Sequence, residues 1–142
     1  KEEKATVDAS KIDWENVNAE NINFRLVKGP GSSNALGYYK FIFPNKYAIY
    51  LHDTPSRWAF KTDTRAMSHG CVRVAEPLTL ATYLIRDKEQ WTPKKIEKVA
   101  KSGKETFIRL SEKLPIHIRY YTAWVDEAGR VNFRHDVYRK DR

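Results

Sequence analysis

The sequence predicts one mostly β domain with two helices packed on the sheet. Three observations carry that expectation. Short runs rich in aromatic and β-branched residues recur along the chain, separated by turn residues. Only two segments, each opened by a proline, repeat apolar residues at helical spacing. The chain has 142 residues with 41% hydrophobic and 31% charged content, which is globular and sized for one domain.

Taken in order, residues 1–21 are polar, with Ile12, Trp14 and Val17 as scattered anchors, and are expected to form a tail or docking arm. The opening Lys1-Glu2-Glu3-Lys4 has no apolar stretch behind it, so a secretory signal is expected to be absent or already removed. No apolar run approaches the roughly 20 residues needed to cross a bilayer. Ile22, Phe24 and Leu26 alternate and predict a strand over residues 22–28; Gly29-Pro30-Gly31-Ser32-Ser33-Asn34 is a loop signal. Residues 38–43 and 46–51 predict a β-hairpin turning at Pro44-Asn45, followed by a long polar loop over residues 53–67.

Residues 71–75 are a short apolar segment ended by Glu76-Pro77. Pro77 suits a first helical position, and Leu78, Ala81, Leu84 and Ile85 then share a helical face. A second helix starts at the N-cap Thr92 with Pro93 behind it, carries Ile96, Val99 and Ala100, and stops at Ser102-Gly103. Residues 106–110 and 115–125 predict strands. Asp126-Glu127-Ala128-Gly129 then turns the chain into a last strand over residues 131–133.

Lys and Arg number 26 against 18 Asp and Glu, a balance of +8 that favours anionic polymers or surfaces. The basic residues are dispersed; Lys94, Lys95, Lys98, Lys101 and Lys104 come closest to a cluster, at the spacing of a solvated helix face. No Cys/His finger spacing or glycine-aromatic RNA-binding strand accompanies them, so no nucleic-acid partner is expected. Cys71 is the single cysteine, which excludes an internal disulfide. A lone cysteine is commonly a small core residue; here its neighbours argue for chemistry.

Those neighbours are Tyr50-Leu51-His52-Asp53-Thr54-Pro55 and, after the loop, Ser68-His69-Gly70-Cys71-Val72-Arg73. A cysteine nucleophile needs a base, oxyanion donors and a backbone that exposes its sulfur. His52 ends a predicted strand, where a side chain is held rigidly. Gly70 permits close approach of a carbonyl, with the amides of Gly70 and Cys71 as donors. If residues 69–73 are extended, His69, Cys71 and Arg73 share one face and Val72 and Val74 the other, and Tyr50 lies beside His52. The polar face is then the site and the valine face the core.

The run from His52 through fifteen residues to Ser68-His69-Gly70-Cys71-Val72-Arg73 resembles the signature of the L,D-transpeptidase (YkuD-like) catalytic domain. Asn34-Ala35-Leu36-Gly37, Phe43-Pro44-Asn45, Leu51-His52-Asp53-Thr54-Pro55 and Thr122-Ala123-Trp124-Val125-Asp126 are similar to the large Gram-negative periplasmic members. The resemblance covers about residues 22–142 and implies a β-sandwich-like fold, of which this chain is expected to be the C-terminal part, lacking upstream strands, a lid and a wall-binding module.

Residue by residue, the resemblance implies Cys71 as nucleophile and His52 as general base, its ring oriented by the main-chain carbonyl of Asp53. Ser68 and His69 would support the nucleophile loop, and Gly70 and Cys71 would line the oxyanion hole. Tyr50 would line the substrate pocket. Arg73 occupies a position that is Asn or Arg in the family, with a plain ion pair as its alternative. Arg57 and Trp58 stand between substrate contact and loop anchor.

The implied partners are peptidoglycan stem peptides and carbapenem inhibitors, and the implied compartment is the periplasm. The implied reaction is attack on the diaminopimelate carbonyl of a tetrapeptide stem, release of D-alanine, and transfer to a diaminopimelate amine as a 3→3 cross-link. No metal or organic cofactor is implied. Three rivals stay open: zinc held by His52, Asp53, His69 and Cys71, a non-catalytic wall-binding fragment, and hydrolysis of the same bond.

Overall fold

A computed structural model describes residues 7–25 and 27–141. Residues 1–6 of the expected arm, Leu26 of the expected first strand, and Arg142 lie outside the described residues. Among the described residues the architecture is mostly non-helical, with two small sheets and two α-helices.

The first sheet has three strands in the order β1 (Lys40–Phe41), β2 (Leu51–His52), β3 (Val72–Arg73). β1 runs antiparallel to β2, pairing Lys40 with His52 and Phe41 with Leu51. β3 runs parallel to β2, pairing Leu51 with Val72 and His52 with Arg73. The predicted hairpin is therefore present, but its strands are shorter and its connection wider than a turn at Pro44-Asn45. Asn45 organises that connection instead. Its amide nitrogen donates to the carbonyls of Phe43 and Ile49, and its oxygen accepts from the amides of Tyr47 and Ile49.

The predicted helices appear as α1 (Pro77–Leu84) and α2 (Pro93–Ala100), packed against each other. Both open on proline, whose missing N–H costs nothing in a first turn. The Thr92 hydroxyl caps α2 by accepting from the Lys95 amide at 3.3 Å. Ile85 and Ile96 are buried, while Lys94, Lys95 and Lys98 are exposed, as a solvated face requires. Burial, with the carboxylates of Glu97 and Asp53 nearby, raises the pKa of the Tyr39 phenol.

The second sheet is a hairpin of β4 (Ala123–Val125) and β5 (Val131–Phe133), pairing Trp124 with Asn132. Its turn is the expected one: the Gly129 amide donates to the Asp126 carbonyl at 2.9 Å. Residues 106–110, 115–122 and the described part of 22–28 are not strands. A strand needs a neighbour to take its backbone groups, and these segments have none among the described residues. Their β-forming side chains stay largely outside, Phe107 being 74% exposed.

The loop over residues 53–67 contains a 3-10 turn, Arg57–Lys61, that buries Ala59. The valine face also departs from expectation: Val72 is 40% exposed, because the three-stranded sheet is not covered on that side at this position.

Candidate active site

The parallel pairing of β2 with β3 builds the site. In a parallel pair, residues in register point to the same side, and the side alternates along each strand. The register His52 with Arg73 therefore carries Tyr50 beside Cys71 on that same face. Hydrogen bonds from the Val72 amide to the Tyr50 carbonyl (3.1 Å) and from the Val74 amide to the His52 carbonyl (2.8 Å) extend the ladder at both ends. Tyr50, His52, Cys71 and Arg73 thus share one surface, with strands about 4.8 Å apart.

Contacts on that surface follow. The Tyr50 and His52 rings meet edge-on with centroids 5.9 Å apart. The pKa of the Tyr50 phenol is raised by burial first and then by the neighbouring Cys71. The Lys40 ammonium lies over the Tyr50 ring, 4.0 Å from its centre. Cys71 is half-buried, and His52 is 5% exposed.

His52 Nδ1 lies 2.5 Å from the Asp53 carbonyl oxygen. A carbonyl only accepts, so Nδ1 carries the hydrogen, and in the neutral ring Nε2 is left with the lone pair. This is the tautomer that a general base needs.

The loop before Cys71 is arranged by Ser68. Its hydroxyl donates to the Cys71 carbonyl at 2.7 Å and accepts from the Gly70 amide at 3.2 Å. Gly70 has a φ of 133°, a conformation that L side chains rarely adopt. Strand alternation ends there, so the expected sharing of a face by His69 and Cys71 does not hold. His69 is exposed on the loop. Trp58 is 61% exposed on its 3-10 turn, and Arg73 makes no ion pair among the described residues. No three His, Cys, Asp or Glu side chains converge on a metal position among the described residues.

Apart from the zinc rival, the sequence offers no role for the Asp53 side chain. Its carboxylate, buried like His52, accepts from the amides of Tyr38 (2.9 Å) and Thr54 (2.7 Å) and from Arg57 Nη2 (3.0 Å). Gly37, at φ 60°, lies so close that a Cβ there would overlap the carboxylate. The pairing of Asp53 with Arg57 at an i, i+4 spacing was the available signal. Two recesses, of about 400 Å³ beside Tyr83 and about 270 Å³ beside Arg134, lie apart from these residues.

The catalytic-domain family of L,D-transpeptidases (YkuD) matches residues 3–118. The chain belongs to that family. The matched stretch begins inside the expected arm and ends before β4. The chain is also 40% identical over 136 residues to a Haemophilus influenzae protein named "Putative L,D-transpeptidase", a stretch that takes in 96% of this chain. The chain spans 27% of the length of that relative. Among the described residues no helix is long and apolar enough to cross a membrane.

Proposed function

We propose that the chain carries the catalytic centre of a peptidoglycan L,D-transpeptidase, with Cys71 as nucleophile and His52 as general base. The observation that carries this reading is the shared face of Tyr50, His52, Cys71 and Arg73, together with a His52 ring whose Nδ1 is committed to a carbonyl. Family membership supports it independently. The two small sheets are read as parts of a β-sandwich-like catalytic domain.

In this mechanism His52 Nε2 takes the Cys71 proton, and sulfur attacks the carbonyl carbon of the third stem residue, diaminopimelate. The bond to D-alanine breaks, the proton returns to the leaving amine, and a thioester remains. A diaminopimelate amine of a second stem then attacks. It forms the new C–N bond, releases sulfur and passes its spare proton through His52 back to Cys71. The amide of Cys71, which has no acceptor among the described residues, is the oxyanion donor left open, since that of Gly70 is taken by Ser68. The reaction belongs in the periplasm, where the polymer lies, and the +8 charge suits an anionic wall.

Intact mass after incubation with a carbapenem tests the acylation half, with Cys71→Ala as control. The expected result is one covalent adduct, lost in Cys71→Ala and formed much more slowly in His52→Ala. Tetrapeptide stems then separate transfer from hydrolysis: a 3→3 dimer marks transfer, and a tripeptide with free D-alanine marks water as acceptor. A folded protein that forms no adduct would sink the enzymatic reading and leave a wall-binding fragment.

A further inference from the structure

We infer that Arg57 is a positioning residue for the base: it clamps the Asp53 carboxylate and thereby holds the Asp53 carbonyl on His52 Nδ1. The inference rests on the proposed role of His52 and concerns a part of the site that the nucleophile and base do not themselves explain.

The Asp53 peptide is held from several directions. Its N–H donates to the Tyr39 carbonyl at 2.9 Å. Its carboxylate takes the amides of Tyr38 and Thr54 and the guanidinium of Arg57. What these bonds fix is the group that selects the His52 tautomer, since the carbonyl on Nδ1 belongs to the same residue. Rotation of that peptide would take the acceptor from Nδ1 and let the ring turn or exchange tautomers. Nε2 would then no longer be reserved as the basic nitrogen.

Arg57 does more than neutralise Asp53. Its second terminal nitrogen, Nη1, donates to the carbonyl of Ala75, two residues beyond β3. One guanidinium therefore joins the end of the base strand to the end of the nucleophile strand. That geometry needs a planar fork with two separate donors; a lysine ammonium is a single point and cannot reproduce it. The Asp53 side chain is 6% exposed, so the carboxylate has little water to replace a lost partner, whereas the Arg57 side chain at 52% tolerates substitution.

The test is the rate at which iodoacetamide alkylates Cys71, followed by intact mass. In that step sulfur bonds to carbon, iodide leaves, and the thiol proton passes to His52. Arg57→Gln is expected to slow alkylation at neutral pH by roughly ten- to a hundredfold, the size of effect that misplacing a reacting group produces. Arg57→Lys, which keeps the charge, is expected to fall nearer Arg57→Gln than wild type; it also carries the test if the glutamine variant does not fold. In a His52→Ala background, Arg57→Gln is expected to change the rate by less than about twofold, because residues acting through one group are not additive.

An Arg57→Gln rate equal to wild type overturns the inference. So does an equal slowing with and without His52, which would mark a general loss of structure. If His52→Ala itself alkylates like wild type, the base assignment falls and takes this inference with it. If His52→Ala is slow but the two losses add, only the positioning role falls.

Discussion

The sheet around His52 and the hairpin of β4 and β5 are held by different means. Around His52 the buried residues are polar: His52, Asp53 and Thr54 lie inside, with Asp53 hydrogen-bonded from the backbone and from Arg57. In the hairpin the apolar residues lie outside. Val125, Val131 and Phe133 are exposed, and the structure rests on a short ladder and the Asp126 turn. A directional network concentrates its energy, because removing one member strands the others without water. An exposed ladder spreads it, so single side chains matter little. The proposed chemistry would thus fall on the part held by the buried polar network.

The largest test of that contrast is Asp53→Ala. It strands the Tyr38 and Thr54 amides and takes one partner from the Arg57 guanidinium, and it is expected to cost about 2–4 kcal/mol in urea unfolding. A loss below about 1 kcal/mol would mean that water reaches the carboxylate and that the network is not the anchor of this sheet.

Gly37→Ala probes the same network from its other side. The residue sits at φ 60°, and the new methyl would overlap a carboxylate that cannot retreat. The expected cost is about 1–3 kcal/mol. Combined with Asp53→Ala the two losses should fall short of their sum, because the group being struck is gone. Full additivity would show that the strain lies in the backbone and not in contact with Asp53.

How much of this was legible in the sequence follows from how local each feature is. The cap Thr92, Pro93 and Pro77 announce both helices because a first turn is decided within four residues. The turn at residues 126–129 is equally local. Cys71 and His52 were put forward together from residue type and spacing, and the parity of Tyr50 with His52 came from strand alternation. That β2 and β3 pair in parallel, which brings those faces together, depends on partner choice and is written in neither strand alone. Strand lengths failed for the same reason at residues 106–110 and 115–122, where β-forming side chains lack a neighbouring edge among the described residues. The placement of His69 failed on one torsion, at Gly70. Arg57 stood between anchor and substrate contact because its second partner, Ala75, is eighteen residues away.

On the hairpin side, Phe133→Ser is expected to change stability by no more than about 0.5 kcal/mol, since the ring is 75% exposed. A loss above about 1.5 kcal/mol, the scale of burying a large side chain, would mean that this face is covered in solution. The hairpin would then be as dependent on packing as the sheet is on hydrogen bonds.

The smallest effects are those of pH, and they fall at opposite ends of the scale for the two regions. Burial raises the phenol pKa of Tyr39 and Tyr50 above the usual 10.0. A raised pKa gives stability that is present below that value and lost as pH rises through the folded-state value. The sheet should therefore loosen on the alkaline side, read as tyrosinate absorbance appearing later than in the unfolded chain. Asp126 is the reverse case. Its carboxylate accepts first from the Arg130 amide, and also from the Ala128 amide and Arg130 Nε, and its pKa is lowered below the usual 3.8. Stability from a lowered carboxylate pKa is present above the usual value and lost as pH falls through the folded-state value. Acid should loosen the turn, seen as the Ala128 and Arg130 amide resonances shifting in an NMR titration as pH falls below the usual carboxylate range. If those amides stay in place until the whole protein unfolds, the turn does not open by itself, and the contrast between the two regions is then one of construction and not of stability.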